Sequence, residues 1–262
     1  MKTVRTVSDI RRALDPLRRN SRVALVPTMG ALHAGHVALF DAARRGGDVV
    51  VASIFVNPTQ FSDPQDLASY PRDESTDERV AAAAGVDFVF APAVEELYPP
   101  GYATWVHVDG AALGLEGEHR VGHFRGVATV CLKLFTAVKP DLAFFGQKDA
   151  QQVAVVKQLV RDLNVSVEIH VVPIVRDADG LALSSRNSRL SSEERARALA
   201  IPGALDAGVA AHREHRDPVA AARAVLAGLD VDYVVVADFD GQPTLAIAAR
   251  VGGTRLIDNV RL

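Results

Sequence analysis

Five apolar, largely β-branched runs recur through the first two-thirds of the chain: Val23 to Val26, Val49 to Val56, Val86 to Phe90, Leu142 to Phe145 and Val165 to Val172. Runs apolar on both faces suit a parallel sheet that is covered on each side. Helical patterns lie between them. Ser8 can cap a first helix carrying Ile10, Leu14 and Leu17 on one face. His36 to Arg45 forms a second, closed by Gly46-Gly47, and Gly126 to Val138 a third, ended by Lys139-Pro140-Asp141. Asp149 to Leu163 is a fourth, with Val153, Val156, Val160 and Leu163 at helical spacing. This alternation predicts an α/β domain over residues 1–174, built on a doubly wound, mostly parallel sheet.

After about residue 174 the texture changes. Ala, Arg and Glu fill Ser191 to Leu229, which reads as two helices broken near Ile201-Pro202-Gly203 and Arg216-Asp217-Pro218. Strand candidates follow at Tyr233 to Ala237 and Arg255 to Val260. Helices followed by strands predict a smaller α+β domain over residues 175–262. A chain of 262 residues, 48% hydrophobic and 23% charged, has material for both cores.

A net charge of -3 gives no global attraction to nucleic acid or to an anionic membrane. No apolar run reaches the roughly 18 residues of a membrane span. The segment Met1-Lys2-Thr3-Val4-Arg5 reads as continuing into a polar helix, so no signal peptide is expected and the location implied is cytoplasmic. Cys131 is the only cysteine. It excludes an intramolecular disulfide and any multi-cysteine metal site, and its apolar surroundings predict a buried, inert thiol.

The chemistry concentrates in Val26-Pro27-Thr28-Met29-Gly30-Ala31-Leu32-His33-Ala34-Gly35-His36, which follows the first of these strands and opens a helix. Open α/β sheets bind ligands at such carboxyl ends. A helix start offers unpaired N–H groups and the positive end of a dipole, both suited to phosphate. His33 and His36 fall on one face of the first turn. Two imidazoles there can donate to phosphate oxygens and stabilise charge developing at the α-phosphorus. Ordinary loop histidines, or two ligands of a metal site, are the alternatives. The Walker pattern and the dinucleotide pattern are both absent.

His33-Ala34-Gly35-His36 resembles the HxGH signature of the nucleotidyltransferase superfamily, and a wider set of motifs narrows the match. Pro-Thr-Met-Gly-Ala-Leu-His-x-Gly-His at 27–36, Val-Asn-Pro-Thr-Gln-Phe at 56–61 and Tyr-Pro-Arg at 70–72 are similar to the pantothenate synthetase (pantoate–β-alanine ligase) family. So are Gly-His-Phe-Arg-Gly-Val at 122–127, Phe-Gly-Gln-Lys-Asp-Ala-Gln-Gln at 145–152, Asp-Gly-Leu-Ala-Leu-Ser-Ser-Arg-Asn at 179–187 and Thr-Arg-Leu-Ile-Asp-Asn at 254–259. The resemblance runs in order along nearly the whole chain. It implies a Rossmann-like nucleotidyltransferase domain and a homodimer. The implied reaction condenses pantoate with β-alanine, using ATP and Mg²⁺, through an enzyme-bound pantoyl adenylate.

By that resemblance His33 and His36 contact the triphosphate, and His33 stabilises the adenylation transition state. Pro27 and Met29 belong to the ATP loop, Met29 also facing the acid substrate. Gly146, Lys148 and Asp149 form a second strand-to-helix turn, with Lys148 on phosphate and Asp149 on the ribose side. Val175 joins the nucleotide site. Ser184, Ser185 and Arg186 stand in the place of the superfamily's second signature loop, suited to β- and γ-phosphate oxygens. Gln60 and Gln152 resemble the pantoate-binding glutamines, with Asn57 in support, because an amide serves both hydroxyls and a carboxylate. Asp77 is implied as a contributor to Mg²⁺ binding, or else a helix-surface acid. Three departures from the family pattern stand out: Ala34 in place of Glu, Val121 in place of Pro, and the run Val-Ala-Asp-Phe-Asp at 236–240. Rival readings are an adenylyltransferase acting on a phosphorylated acceptor and a non-catalytic nucleotide-binding module.

Overall fold

The computed structural model describes residues 1–239 and 241–262; Asp240, the last residue of the departure at 236–240, lies outside the described residues. Packing divides the chain into two units, Met1–Gly146 with Gln151–Val172, and Gln147–Ala150 with Pro173–Leu262.

The first unit is built on six strands: β1 (Lys2–Val4), β2 (Val23–Thr28), β3 (Val49–Ile54), β4 (Phe88–Phe90), β5 (Leu142–Gly146) and β6 (Glu168–Val172). They run in the order β1-β4-β3-β2-β5-β6, every pairing parallel. Side chains alternate across a strand, and β2 shows why these runs are apolar throughout. Val23 and Leu25 enter one core with Ile10, Leu14, Leu134, Phe135 and Val156. Ala24 and Val26 enter the other with Phe40, Ala43 and Ala81. Helices Val7–Leu14, His123–Val138 and Ala150–Asp162 therefore cover one face, and Ala34–Gly46 and Glu74–Ala83 the other. A fully buried Val or Leu contributes about 1.5–3 kcal/mol, so a polar residue on either face of β2 is costly.

Near the N-terminus a strand precedes the expected polar helix, and one expectation is corrected. Residues 2–4 form an edge strand, where the polar segment pairs only with β4. The first helix is capped by Thr6, whose hydroxyl accepts from the Asp9 N–H at 3.0 Å, and not by Ser8, which lies inside it. Cys131 is 4% exposed, and burial pushes its thiol pKa up to about 12. An aromatic disulfide reagent is accordingly expected to leave the native protein unlabelled and to label it fully in denaturant; stoichiometric labelling of the native form contradicts that burial.

The second unit holds an antiparallel sheet, β7 (Asp230–Asp238), β8 (Pro243–Val251) and β9 (Thr254–Arg261), in that order. Its middle strand was not expected, because Ala246, Ala248 and Ala249 suppress the β-branched signal. Small residues fit there since both neighbours are strands and helix Ala200–Arg213 packs close, with Leu245 and Ile247 meeting Ile201 and Leu205 in one cluster. That helix also runs through Ile201-Pro202-Gly203, where a break was expected. Pro202 sits in its first turn, where no intrahelical N–H is needed, and the break comes earlier, at Leu199. Among the described residues no helix is long and apolar enough to cross a membrane.

Candidate active site

From β2 the sheet winds one way through β3 and β4 and the other way through β5 and β6. The switch point therefore lies between β2 and β5, and in open α/β sheets the ligand crevice forms outside the carboxyl ends of such strands. Chain leaving β2 enters the histidine loop. Chain leaving β5 at Gly146 enters the Gln147–Asp149 turn.

The loop begins at Thr28, whose buried hydroxyl donates to the Ser53 carbonyl at 2.6 Å and accepts from the Gly30 N–H at 3.2 Å. Gly30 has φ +78, and a Cβ there would stand 2.6 Å from an Asp77 carboxylate oxygen. Ala31 is also left-handed, at φ +51, which costs an L-residue roughly 1–2 kcal/mol. His33 is the N-cap of helix Ala34–Gly46. Its Nδ1 accepts from the Gly35 N–H at 3.1 Å, and Nδ1 of His36 accepts from the His33 N–H at 3.2 Å. The two rings lie 4.2 Å apart. An Nδ1 that accepts carries no proton, so each neutral imidazole holds its proton on Nε2. The loop thus sets two imidazoles side by side at a helix N-terminus, chemistry fitted to phosphate oxygens. The metal-site alternative lacks a third ligand: among the described residues no group of three or more His, Cys, Asp or Glu can hold a metal ion.

Asp77 is 3% exposed, not a surface acid. Its oxygens accept from the N–H groups of Ala31 at 3.0 Å and Leu32 at 2.8 Å. Burial pushes its pKa up, those two N–H groups pull it down, and the charges of Asp73 and Glu74 push it up again. The carboxylate therefore holds the strained part of the loop, and the lone pairs those two bonds leave are chemically suited to a cation as well. Among the described residues no group of three or more His, Cys, Asp or Glu forms a cage for Mg²⁺, a donor set that suits an ion arriving on ATP with phosphate oxygens and water as further ligands.

Gln60 stands past the end of β3, in the short 3₁₀ turn Pro58–Gln60. Asn57, 1% exposed, donates through Nδ2 to Gln60 Oε1 at 2.9 Å and to the Gly126 carbonyl at 3.2 Å. Gln60 Nε2 then donates to the Met29 sulfur at 3.2 Å. Thioether sulfur is a weak acceptor, so this amide N–H is weakly satisfied compared with one bonded to oxygen. His123 holds the turn from behind. Its Nδ1 lies 2.8 Å from the Gln60 carbonyl and its Nε2 lies 3.1 Å from an Arg120 nitrogen, so the Nδ1–H tautomer satisfies both. Val121, the departure from the family's proline, is 80% exposed and leaves these contacts in place. Gln152 is half-buried in the first turn of helix Ala150–Asp162. A cavity of about 350 Å³ opens beside Met29, Val56, Pro58 and Asp77, within the size range of small-molecule sites. Asn57→Ala is expected to raise the KM for the acid substrate about tenfold, the worth of one buried hydrogen bond, and to leave the KM for ATP unchanged. Steady-state kinetics in both substrates checks this.

The remaining expected site residues belong to the second unit, apart from Pro27 in β2 and Gly146 at the end of β5. Lys148 is half-buried and Asp149 exposed. The Val175 carbonyl accepts from the Leu183 N–H at 3.0 Å, closing a hairpin that delivers Ser184. Ser184 caps the 3₁₀ turn Ser185–Arg189 through the Arg186 N–H at 3.2 Å. Sequence reasoning assigned no role to Arg176, Asp258 or Asn259. Asp258 and Asn259 sat in the motif at 254–259, whose spacing alone names no partner.

Comparison with known proteins follows this geometry. The family model described as pantoate-beta-alanine ligase matches residues 2–261. A pantothenate synthetase of Rhizorhabdus wittichii is 51% identical over 99% of this chain and 98% of its own length. That of Moorella thermoacetica is 50% identical over 100% and 99%. Among solved structures, pantothenate synthetase from Thermus thermophilus superposes with a TM-score of 0.94 at 44% identity, covering 99% of both chains. The pantoate–β-alanine ligase of Francisella tularensis, solved with an ATP compound and β-alanine, gives 0.85 at 34% identity over 100% and 97%.

Proposed function

Because this chain belongs to the pantoate–β-alanine ligase family, whose members condense pantoate with β-alanine at the expense of ATP, we infer that His33, His36 and Lys148 form its adenylating centre and that Gln60 and Gln152, with Met29, hold pantoate. The chain is such an enzyme, and full-length relatives of this kind set aside the adenylyltransferase and binding-module readings.

The carboxylate of pantoate attacks the α-phosphorus of ATP; the new C–O–P bond forms as the bond to pyrophosphate breaks. The nucleophile is already ionised, so no side chain need supply one, and catalysis rests on positioning and charge stabilisation. Nε2–H groups of His33 and His36 donate to the oxygens that gain charge, and Lys148 neutralises the triphosphate. Ser184, Ser185 and Arg186 take the departing β- and γ-phosphates. Asp149 accepts from the ribose, and the chain at Pro27, Gly146 and Val175 borders the nucleoside. Mg²⁺ arriving with ATP would supply charge neutralisation at the triphosphate, and Asp77 is the side chain of this chain that would contribute to holding it. The neutral amine of β-alanine then attacks the acyl carbon, AMP leaves, and the amine proton passes to solvent or to AMP. Water must be excluded, because it would hydrolyse the mixed anhydride. A cytoplasmic homodimer completes the proposal.

The observation that carries the reading is the pair of imidazoles at a helix N-terminus, each of whose Nδ1 atoms accepts from a backbone N–H. Pantoate labelled with ¹⁸O in both carboxylate oxygens tests it. One label per turnover is expected in AMP and none in pyrophosphate. Label in inorganic phosphate indicates attack at the γ-phosphorus and overturns the proposal.

A further inference from the structure

The motif at 254–259 lies in β9, an edge strand paired only with β8. Edge strands are commonly covered, and here the Gln147–Asp149 turn lies against it. Asn259 is 4% exposed. Its Nδ2 donates to the carbonyls of both Gln147 and Lys148, each at 3.0 Å, and its Oδ1 accepts from Gln147 Nε2 at 3.2 Å. Arg261, two residues on and on the same face of the strand, donates to Gln147 Oε1 at 3.4 Å.

Two consecutive carbonyls that converge on one point set like dipoles against each other. A group with two N–H donors on one nitrogen resolves the repulsion, and the primary amide is the neutral side chain that has one. The adjacent residue serves the other phosphate-side segment. Asp258, 3% exposed, takes Arg176 in a bidentate pair at 2.6 and 3.1 Å. Arg176 begins the hairpin that leads to Ser184. Successive residues of one strand thus anchor both segments.

We propose that Asn259 is a positioning residue for Lys148: its carboxamide sets the backbone of the Gln147–Asp149 turn and thereby the direction in which the ammonium group meets the triphosphate. This rests on the reading of Lys148 as a phosphate ligand. Asn259 touches no substrate and acts through the turn.

The test measures pantoate-dependent adenylation in single turnover for the full-length protein and for Lys148→Ala, Asn259→Ala, Asn259→Asp and the Lys148→Ala/Asn259→Ala double variant, with thermal unfolding in parallel. Asn259→Asp keeps the shape but turns a carboxylate oxygen on two carbonyls. Both Asn259 variants are expected to lose about tenfold or more in adenylation rate and to raise the KM for ATP, with the KM for pantoate within about twofold of wild type. In the Lys148→Ala background, Asn259→Ala is expected to cost less than about twofold further, because residues that act as a unit are not additive. Multiplicative losses, or an Asn259→Asp variant with normal ATP kinetics, overturn the inference while leaving the Lys148 reading intact. A Lys148→Ala variant with normal turnover fails that reading, and the inference with it. Asn259→Asp decides the matter if Asn259→Ala does not fold.

Discussion

Replacing His33 with alanine is expected to slow pantoyl adenylate formation by roughly 100-fold or more, the usual loss when one preorganised donor to a developing charge is removed. Alanine also removes the helix cap, because His33 Nδ1 accepts from the Gly35 N–H. That loss costs about 0.5–2 kcal/mol of stability and would blur the interpretation. His33→Asn separates the two roles. Asparagine is a good N-cap residue and restores the cap, yet it is too short to place a donor where Nε2–H stands. The asparagine variant is therefore expected to recover most of the thermal stability and almost none of the rate. Recovery of rate along with stability would show that His33 serves the helix and not the phosphate. Rapid-quench measurement of the adenylate, with a thermal melt on the same samples, reads both quantities.

The second large effect is expected at Gly126, in the first turns of helix His123–Val138. A Cβ there would stand 2.5 Å from the Thr59 carbonyl carbon and 2.7 Å from Gln60 Cα. Both obstacles are backbone, so no side-chain rotation relieves them. Either the helix moves away from the Pro58–Gln60 turn, or the turn moves. Both break the hydrogen bond from Asn57 Nδ2 to the Gly126 carbonyl and displace the Gln60 amide that it orients. Gly126→Ala is expected to destabilise the protein by about 1–3 kcal/mol, the range for overpacking. The KM for pantoate is expected to rise more than that for ATP, because the displaced group is on the acid side. Equal changes in both, or none, would contradict the packing argument. Denaturant melts with steady-state kinetics measure the two effects.

These two residues also show what the sequence made legible. Gly126 sat inside a quoted motif, and its helix was expected; the reason for the glycine lay in a turn 66–67 residues earlier in the chain, which no local pattern encodes. Strands β2, β3 and β5 were readable because burial on both faces leaves an uninterrupted apolar run. Strand β1 was not, since an edge strand with one neighbour tolerates Lys2 and Thr3, and β8 was not, since alanines pack it tightly while favouring no strand. In the site, the histidine loop keeps its polar residues adjacent in sequence, so its place between β2 and a helix start could be read directly. Asp77 and Asn259 could not be assigned that way. Each is a polar residue whose partner is a backbone group, 45–46 residues away for Asp77 and 111–112 for Asn259. The carboxylate that could be read as a surface acid is a buried clamp once Ala31 and Leu32 are seen to point at it. Backbone partners leave no trace in residue identity, and this is why positioning residues escape a reading that finds ligands.

The central claim is that pantoate is activated by adenylation before β-alanine takes part. Isotope exchange between pyrophosphate and ATP, with Mg²⁺ and pantoate present and β-alanine left out, tests it most directly. The expected result is exchange that requires pantoate and that falls in parallel with adenylation in the His33→Asn protein. Exchange without pantoate, or AMP formed only on adding β-alanine with no exchange before it, would contradict the account.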